Sequence, residues 1–390
     1  MDKIVLKKSS AKRIATGYPL IVAEDLTRKS AVMDKYVRLV DERNSFIGVG
    51  YVSQQNKGLG WLLSLLDKEI GQSFFSEKLR LAKSLRLHFF ADERTNAFRL
   101  FNGEGDGIGG LTIDFYAGFA VFSWYNTFIY QQKELILDTF REVFPEIIGG
   151  YEKIRFEGMA FESRHIFGEI ATVPLIVKEN GVNYATYLDE GLMTGIFLDQ
   201  KNVRALLSEE LAVGKSILNM FSYTGAFSVA SAFGGALETT SVDLAKRSLS
   251  KTREQFEVNG INADKQKIYV MDVFGYFKYA KKKGLSYDLI VLDPPSFARN
   301  KKQTFSVAKN YGELIEESVD ILHSFGVIIA STNAANVSRE KFRQMVELAL
   351  KKKKVRFEVF HEEHLPDDFH VAKEFTEGDY LKVLFIEVRK

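Results

Sequence analysis

The second half of this chain constrains its fold most. From about Asn183 onward, short apolar runs alternate with longer amphipathic stretches, strand then helix. Ser216 to Met220, Thr239 to Val242, Lys267 to Val270, Leu289 to Leu292 and Val327 to Ala330 read as strands, with helices between them. Crossovers of that length join parallel neighbours, so the pattern predicts a doubly wound parallel sheet. Two more strands, Val355 to His361 and Tyr380 to Val388, are joined by a polar loop too short for a crossover helix. They are expected to pair antiparallel, giving a seven-stranded sheet.

The first half is patterned differently. From Ile4 to about Leu66 the residues alternate as short strands, including Tyr36 to Val40 and Phe46 to Tyr51, and predict a small β-barrel or roll. Phe75, Leu79, Ala82, Leu85 and Leu87 then fall near helical spacing, which predicts one amphipathic helix over Phe74 to Phe90. Strands at Ala97 to Phe101, Leu111 to Asp114 and Phe119 to Trp124, with a helix at Gln131 to Val143, predict a small α+β unit. A chain of 390 residues exceeds one ordinary core. The expected domains are residues 1–72, 73–178 and 179–390.

Composition removes several chemistries. The chain has no cysteine, which excludes disulfides, thiolate metal sites and a thiol nucleophile. Six scattered histidines make no zinc site, and no metal is expected; His361 and His364 are assigned to an exposed strand and loop. No apolar run reaches the roughly 20 residues of a membrane helix, and Met1 to Ser10 does not build a signal-peptide core, so a cytoplasmic protein is expected. With a net charge of only +2, a nucleic-acid surface has to come from local clusters. Candidates are Lys7, Lys8, Lys12 and Arg13; Lys281 to Lys283; Arg299, Lys301 and Lys302; and Lys351 to Lys354, each of which is equally a solvated helix end or loop.

Ligands of open α/β sheets sit at the carboxyl ends of the strands, and four such ends carry informative residues. The first runs into Phe221-Ser222-Tyr223-Thr224-Gly225 and a helix. One glycine gives a tight turn with close backbone approach, unlike the glycine-rich loop that wraps a pyrophosphate. S-adenosylmethionine, which has no phosphate, suits this simpler loop, whereas a dehydrogenase does not. Asp243 ends the second strand, where a carboxylate accepts ribose hydroxyls, and Asp272 ends the third, where it accepts from an adenine amino group. Asp293 ends the fourth, in Asp293-Pro294-Pro295-Ser296-Phe297. For each Asp alone a helix N-cap is the commoner role; three on successive strand ends after a glycine turn point to a cofactor pocket. The two prolines stiffen the rim and remove amide donors, leaving carbonyls and a carboxylate to grip an amino group or a base edge.

These residues resemble the large-subunit (23S) ribosomal RNA cytosine-5 methyltransferases, built from a PUA domain, a small linking domain and a Rossmann-like methyltransferase domain. The resemblance covers essentially the whole chain. It is carried by Gly17-Tyr18-Pro19, by Arg99 to Gly107 (RLFNGEGDG), by Thr194 to Lys201 (TGIFLDQK), by Phe221 to Ser228 (FSYTGAFS) and by Asp293 to Ala298 (DPPSFA). It implies an RNA-binding PUA-like barrel and S-adenosylmethionine as cofactor, held by Ser222, Tyr223, Thr224, Gly225, Asp243, Asp272 and Asp293. It also implies that Gln200, Arg204 and Phe221 line that pocket, although Gln200 and Arg204 equally form a polar helix face. Asp293, Pro294 and Asn333 are the expected catalytic residues. Ribosomal RNA is the expected partner, no membrane is expected, and a homodimer is left open.

One departure stands out. The family places a catalytic cysteine just after the fifth strand, where this chain reads Ala330-Ser331-Thr332-Asn333. Thr332 takes the matching position, and an alcohol without an adjacent base is a weak nucleophile. Three readings follow: methylation of a nitrogen, served by Asp293, Ser296, Asn333 and Asn336; an RNA-binding ribosome-assembly factor without turnover; or a substitution that one chain does not reveal. A flipped-out base would meet Phe297, Arg299 or Tyr311 near the pocket mouth, although a buried aromatic is the commoner fate for any single one of them.

Overall fold

The computed structural model describes residues 1–29, 32–299 and 304–390, with only the backbone of residues 298, 299, 304 and 305. The described residues divide into two compact units, the second made of residues 178–185, 195–366 and 379–390.

The first unit contains two five-stranded sheets. The N-terminal sheet uses Asp2–Val5, Leu20–Ile21, Lys35–Val40, Phe46–Val52 and Gly60–Ser64. A helix at Lys8–Ala15 interrupts the expected run of strands, burying Ser10, Ala11 and Ile14. The other sheet runs Ala97–Asn102, Leu111–Tyr116, Phe119–Trp124, Gly149–Ile154 and Ser163–Gly168, each strand pairing with the next. One apolar cluster joins residues of both halves, including Tyr51, Trp61, Phe75, Leu79, Phe101, Phe122, Trp124 and Phe140.

The single helix expected over Phe74 to Phe90 is two, Gln72–Leu85 and Leu87–Phe90. Phe75, Leu79 and Ala82 are buried as the spacing predicts, whereas Leu85 and Leu87 are exposed. The break falls at Arg86, whose backbone leaves the helical region at φ −116°. Its fully buried guanidinium donates to both carboxylate oxygens of Asp106, at 3.1 and 2.8 Å, and to the carbonyls of Ala82, Arg99 and Asp368. A buried guanidinium needs its donors matched, and this demand outweighs the helical pattern. Asp106 belongs to the RLFNGEGDG segment, so that motif serves a structural ion pair.

The second unit carries the seven-stranded sheet: β1 (Ser216–Met220), β2 (Glu238–Asp243), β3 (Lys267–Val270), β4 (Tyr287–Leu292), β5 (Leu322–Thr332), β6 (Arg356–Glu363) and β7 (Lys382–Arg389). The order is β3-β2-β1-β4-β5-β7-β6, with β7 antiparallel to both of its neighbours. Successive side chains on a strand point to opposite faces, so strands covered on both faces are apolar throughout. Leu218, Met220, Ile290 and Leu292 join one core with Tyr276, Tyr311 and Phe342 of the helices on that side. Ile217, Leu289 and Val291 join another with Val203, Leu207, Phe227 and Ala230. Order reverses between β1 and β4, and the strand ends beside that switch carry the expected site.

Candidate active site at the strand ends

The loop after β1 is held in an uncommon conformation. Phe221, Tyr223 and Gly225 all have left-handed backbones, at φ 59°, 52° and 82°. For Phe and Tyr this costs energy that the surroundings must offset, and such strain concentrates at functional sites. The offset is visible: the Ser222 amide donates to the Val242 carbonyl at 3.0 Å, and the Tyr223 amide donates to Asp243 Oδ2 at 2.9 Å. The Thr224 hydroxyl donates to the Gly195 carbonyl at 2.7 Å, and the Gly225 amide closes the turn onto Ser222. A Cβ on Gly225 would lie 2.5 Å from Thr252 Cγ2, so the turn packs against the helix Arg247–Glu257 as only glycine permits.

Asp243 also accepts from the Ala245 amide at 2.8 Å through Oδ1. Two of the roughly four lone-pair positions of a carboxylate are thereby used, leaving capacity for ribose hydroxyls. Asp272 caps the helix Val273–Lys283 by accepting from the Gly275 amide at 3.1 Å. The N-cap role and the strand-end position therefore coexist in one residue. Ser222 Oγ and Gln200 Oε1 are buried without a hydrogen-bond partner among the described residues. Unmatched buried polar atoms beside a strained loop suit a ligand that completes them, and the donor set fits the ribose, base and amino-acid parts of S-adenosylmethionine.

Asp293 sits at the end of β4. Gln200 Nε2 donates to its Oδ1 at 3.1 Å and to Ser331 Oγ at 2.7 Å, and Ser331 also hydrogen-bonds Asp293. Burial, then the nearby charge of Asp199, pushes the Asp293 carboxyl up to about 7, against the opposing pull of Ser331, Arg204 and Gln200. A carboxyl that titrates near neutrality at a strand end is a functional-site signature. The Tyr380 hydroxyl donates to Asp199 at 3.0 Å.

Arg204, expected at the cofactor, is buried in a bidentate pair with Glu179 at 2.7 and 2.8 Å and donates to the Phe197 carbonyl at 2.7 Å. It thereby fastens the segment that carries Phe197 and Gln200. The exposed Phe197 ring lies 5.4 Å from that of Tyr223. Thr332 is fully buried, and its hydroxyl accepts from the Ala334 amide at 3.2 Å. Lys382, opposite Thr332 in the β5–β7 register, donates to the Ala334 carbonyl at 2.8 Å. Asn333 is exposed and accepts from the Ser296 hydroxyl at 2.8 Å. Among the stacking candidates, Phe297 is exposed, but Tyr311 is buried with its hydroxyl on the Ser331 and Leu292 carbonyls, so it cannot meet a base. The side chain of Arg299, with Lys301 and Lys302, lies outside the described residues.

The sequence reading missed Glu179, Asp199 and Ser331 as site residues. Asp199 and Ser331 stood inside quoted segments, but nothing local marked them; Glu179 lies 25 residues from its partner.

Residues 163–367 match the family of S-adenosylmethionine-dependent methyltransferases, and residues 4–65 match a PUA-like domain. The chain belongs to this methyltransferase family. It is therefore an S-adenosylmethionine-dependent enzyme with the Rossmann-like sheet and PUA-like domain that the sequence predicted. Among its relatives is YwbD of Bacillus subtilis, provisionally named a ribosomal RNA large subunit methyltransferase, 47% identical over 99% of this chain and 100% of that one. Ribosomal RNA large subunit methyltransferase I of Aeromonas salmonicida is 31% identical over 83% of each chain. A crystal structure of SMU.776, a provisionally assigned methyltransferase complexed with SAH, superposes with a TM-score of 0.95 at 43% identity, covering 99% of this chain and 100% of that one.

Proposed function

We propose that this methyltransferase modifies a base of large-subunit ribosomal RNA, and that the acceptor is a ring nitrogen of a purine rather than carbon 5 of cytosine. The names of its relatives support the RNA class. The state of Thr332 carries the choice of atom. Carbon 5 of cytosine needs a nucleophile on carbon 6, yet the chain has no cysteine. Thr332, at the matching position, is buried and occupied by a backbone amide. A ring nitrogen needs only its lone pair aligned with the methyl donor.

Bound S-adenosylmethionine supplies an electrophilic methyl group; Ser222 to Gly225, Asp243, Asp272 and Gln200 would hold it. The remaining work is positioning. Asp293, when ionised, accepts from an N–H or amino group of the base. Pro294 and Pro295 keep that rim rigid. The Asn333 carboxamide, whose Oδ1 accepts from Ser296, keeps its Nδ2 donors to offer to a base. Phe297 offers an exposed ring for a flipped nucleotide. With this substrate the cytoplasm is the expected compartment, and a homodimer would be read from light scattering.

The test incubates the protein with radiolabelled S-adenosylmethionine and unmodified large-subunit ribosomal RNA, then digests the RNA to nucleosides. A labelled N-methyl purine is expected. Labelled 5-methylcytidine would overturn the choice of atom. No label in RNA, with cofactor binding intact, would favour an assembly factor without turnover.

A further inference from the structure

In the function proposed above the methyl acceptor meets Asp293, while Ser331 and Asp199 beside that carboxyl have no assigned part in the reaction. Ser331, on β5, is buried, accepts from Gln200 Nε2 at 2.7 Å and hydrogen-bonds Asp293. Its carbonyl is fixed in turn by the Tyr311 hydroxyl at 2.9 Å, so the residue has little freedom to turn away. Asp199 immediately precedes Gln200 in a short turn, Leu198–Gln200, and is anchored by Tyr380. Arg204, one helical turn beyond Gln200, contributes positive charge but is neutralised by Glu179. Gln200 and Ser331 are thus the hydrogen-bond partners of Asp293, and Asp199 and Arg204 are the charges that act on it.

We propose that Ser331 and Asp199 are positioning residues for methyl transfer: Ser331, with Gln200, holds the ionised carboxylate of Asp293 toward the acceptor, and Asp199 opposes that ionised form by like charge. This rests on Asp293 being the group that engages the acceptor. A hydrogen bond to a carboxylate favours its charged form, and a neighbouring anion disfavours it. The two influences differ in sign, so removing one or the other moves the Asp293 proton equilibrium in opposite directions. A purely structural role for either residue would not do so. The buried, unpartnered Gln200 Oε1 lies on the same carboxamide that grips Asp293 and Ser331. That side chain therefore keeps an acceptor in reserve for a donor of the bound ligands.

The deciding experiment needs no RNA. The full-length protein is prepared with carbon-13 aspartate carboxyls, and the Asp293 signal is assigned by its loss in Asp293→Asn. Its titration is then followed in wild type, Ser331→Ala and Asp199→Asn. Asp199→Asn keeps an acceptor for Tyr380 and should lower the midpoint by about one pH unit, whereas Ser331→Ala should raise it by a similar amount. Ser331→Thr, which retains the hydroxyl, should stay nearer wild type than Ser331→Ala. Unmoved midpoints, or shifts in the same direction, would overturn the proposal. The pH dependence of transfer to ribosomal RNA is measured in parallel. Opposite carboxyl shifts without any transfer to RNA would support the device around Asp293 and refute the RNA substrate instead.

Discussion

Asp106 and Asp293 are both aspartates drawn into the fold, one buried and one half-buried, and they end in opposite states. Burial pushes both carboxyls up. At Asp106, in the first unit, hydrogen bonding from His370 together with the charge and hydrogen bonds of Arg86 and the Asn102 amide reverses that push and holds it below the usual carboxylate range. At Asp293, in the second unit, Asp199 adds a like charge and Arg204 is already committed to Glu179, so the carboxyl stays raised, at about 7. Burial sets how strongly a carboxyl feels its neighbours, and the neighbours' charges set the direction. A paired buried acid is a fixed joint. An underpaired one is poised to exchange a proton or to accept a new partner at neutral pH.

The largest effect should come from breaking the fixed joint. Arg86→Met leaves Asp106 buried without its guanidinium and should destabilise the first unit by about 3–5 kcal/mol. Both tryptophans, Trp61 and Trp124, lie in that unit, so their fluorescence during denaturant unfolding reports it. A loss no larger than that of a surface substitution would mean that the pair is not what holds the segment. Next, Asp293→Ala should lower methyl transfer by roughly 100-fold or more, the scale for losing one preorganised polar contact at a reacting centre, while SAH binding by calorimetry stays close to wild type. Unchanged transfer would remove Asp293 from the acceptor site.

A smaller effect follows from the raised carboxyl. If the ionised form of Asp293 is the working one, activity is lost as pH falls through about 7. The single-turnover rate should then rise roughly tenfold from pH 6 to pH 8, as expected for one group titrating midway between them. A flat profile would mean that Asp293 titrates elsewhere or that its charge is not used. The same raised carboxyl also predicts a stability change of the opposite sign to that at Arg86. The folded protein holds the Asp293 proton more tightly than the unfolded chain does, so wild type loses stability as pH rises from the ordinary carboxylate range to about 7. Asp293→Asn removes that loss, and its thermal midpoint should exceed that of wild type by more at pH 8 than at pH 5. An equal difference at both pH values would count against a raised carboxyl.

The segments whose structure is local were legible in the sequence. Ser216–Met220 and Lys267–Val270 were bounded to the residue, because a short apolar strand between turn residues needs no distant partner to be seen. The antiparallel final pair followed from loop length alone. Arg86 defeated the helical pattern because a buried guanidinium is decided by groups up to 282 residues away. For Tyr311 the sequence offered both a stacking ring at the pocket mouth and a buried aromatic, and only the face that its helix turns to the sheet decided for burial.

By itself, the sequence determined the order of strands and helices in the second half, the strand-end aspartates, the tight turn at Gly225 and the absence of a thiol, because each is a property of residue type and short-range spacing. Only the tertiary structure decided that Arg204 belongs to Glu179, that the Thr332 hydroxyl is spent on Ala334, and that Gln200, Ser331 and Asp199 converge on Asp293. Hydrogen bonds and like charges act over a few ångströms of space whatever the distance along the chain, and the turn Leu198–Gln200 and strand β5 come within that range only once the sheet has formed.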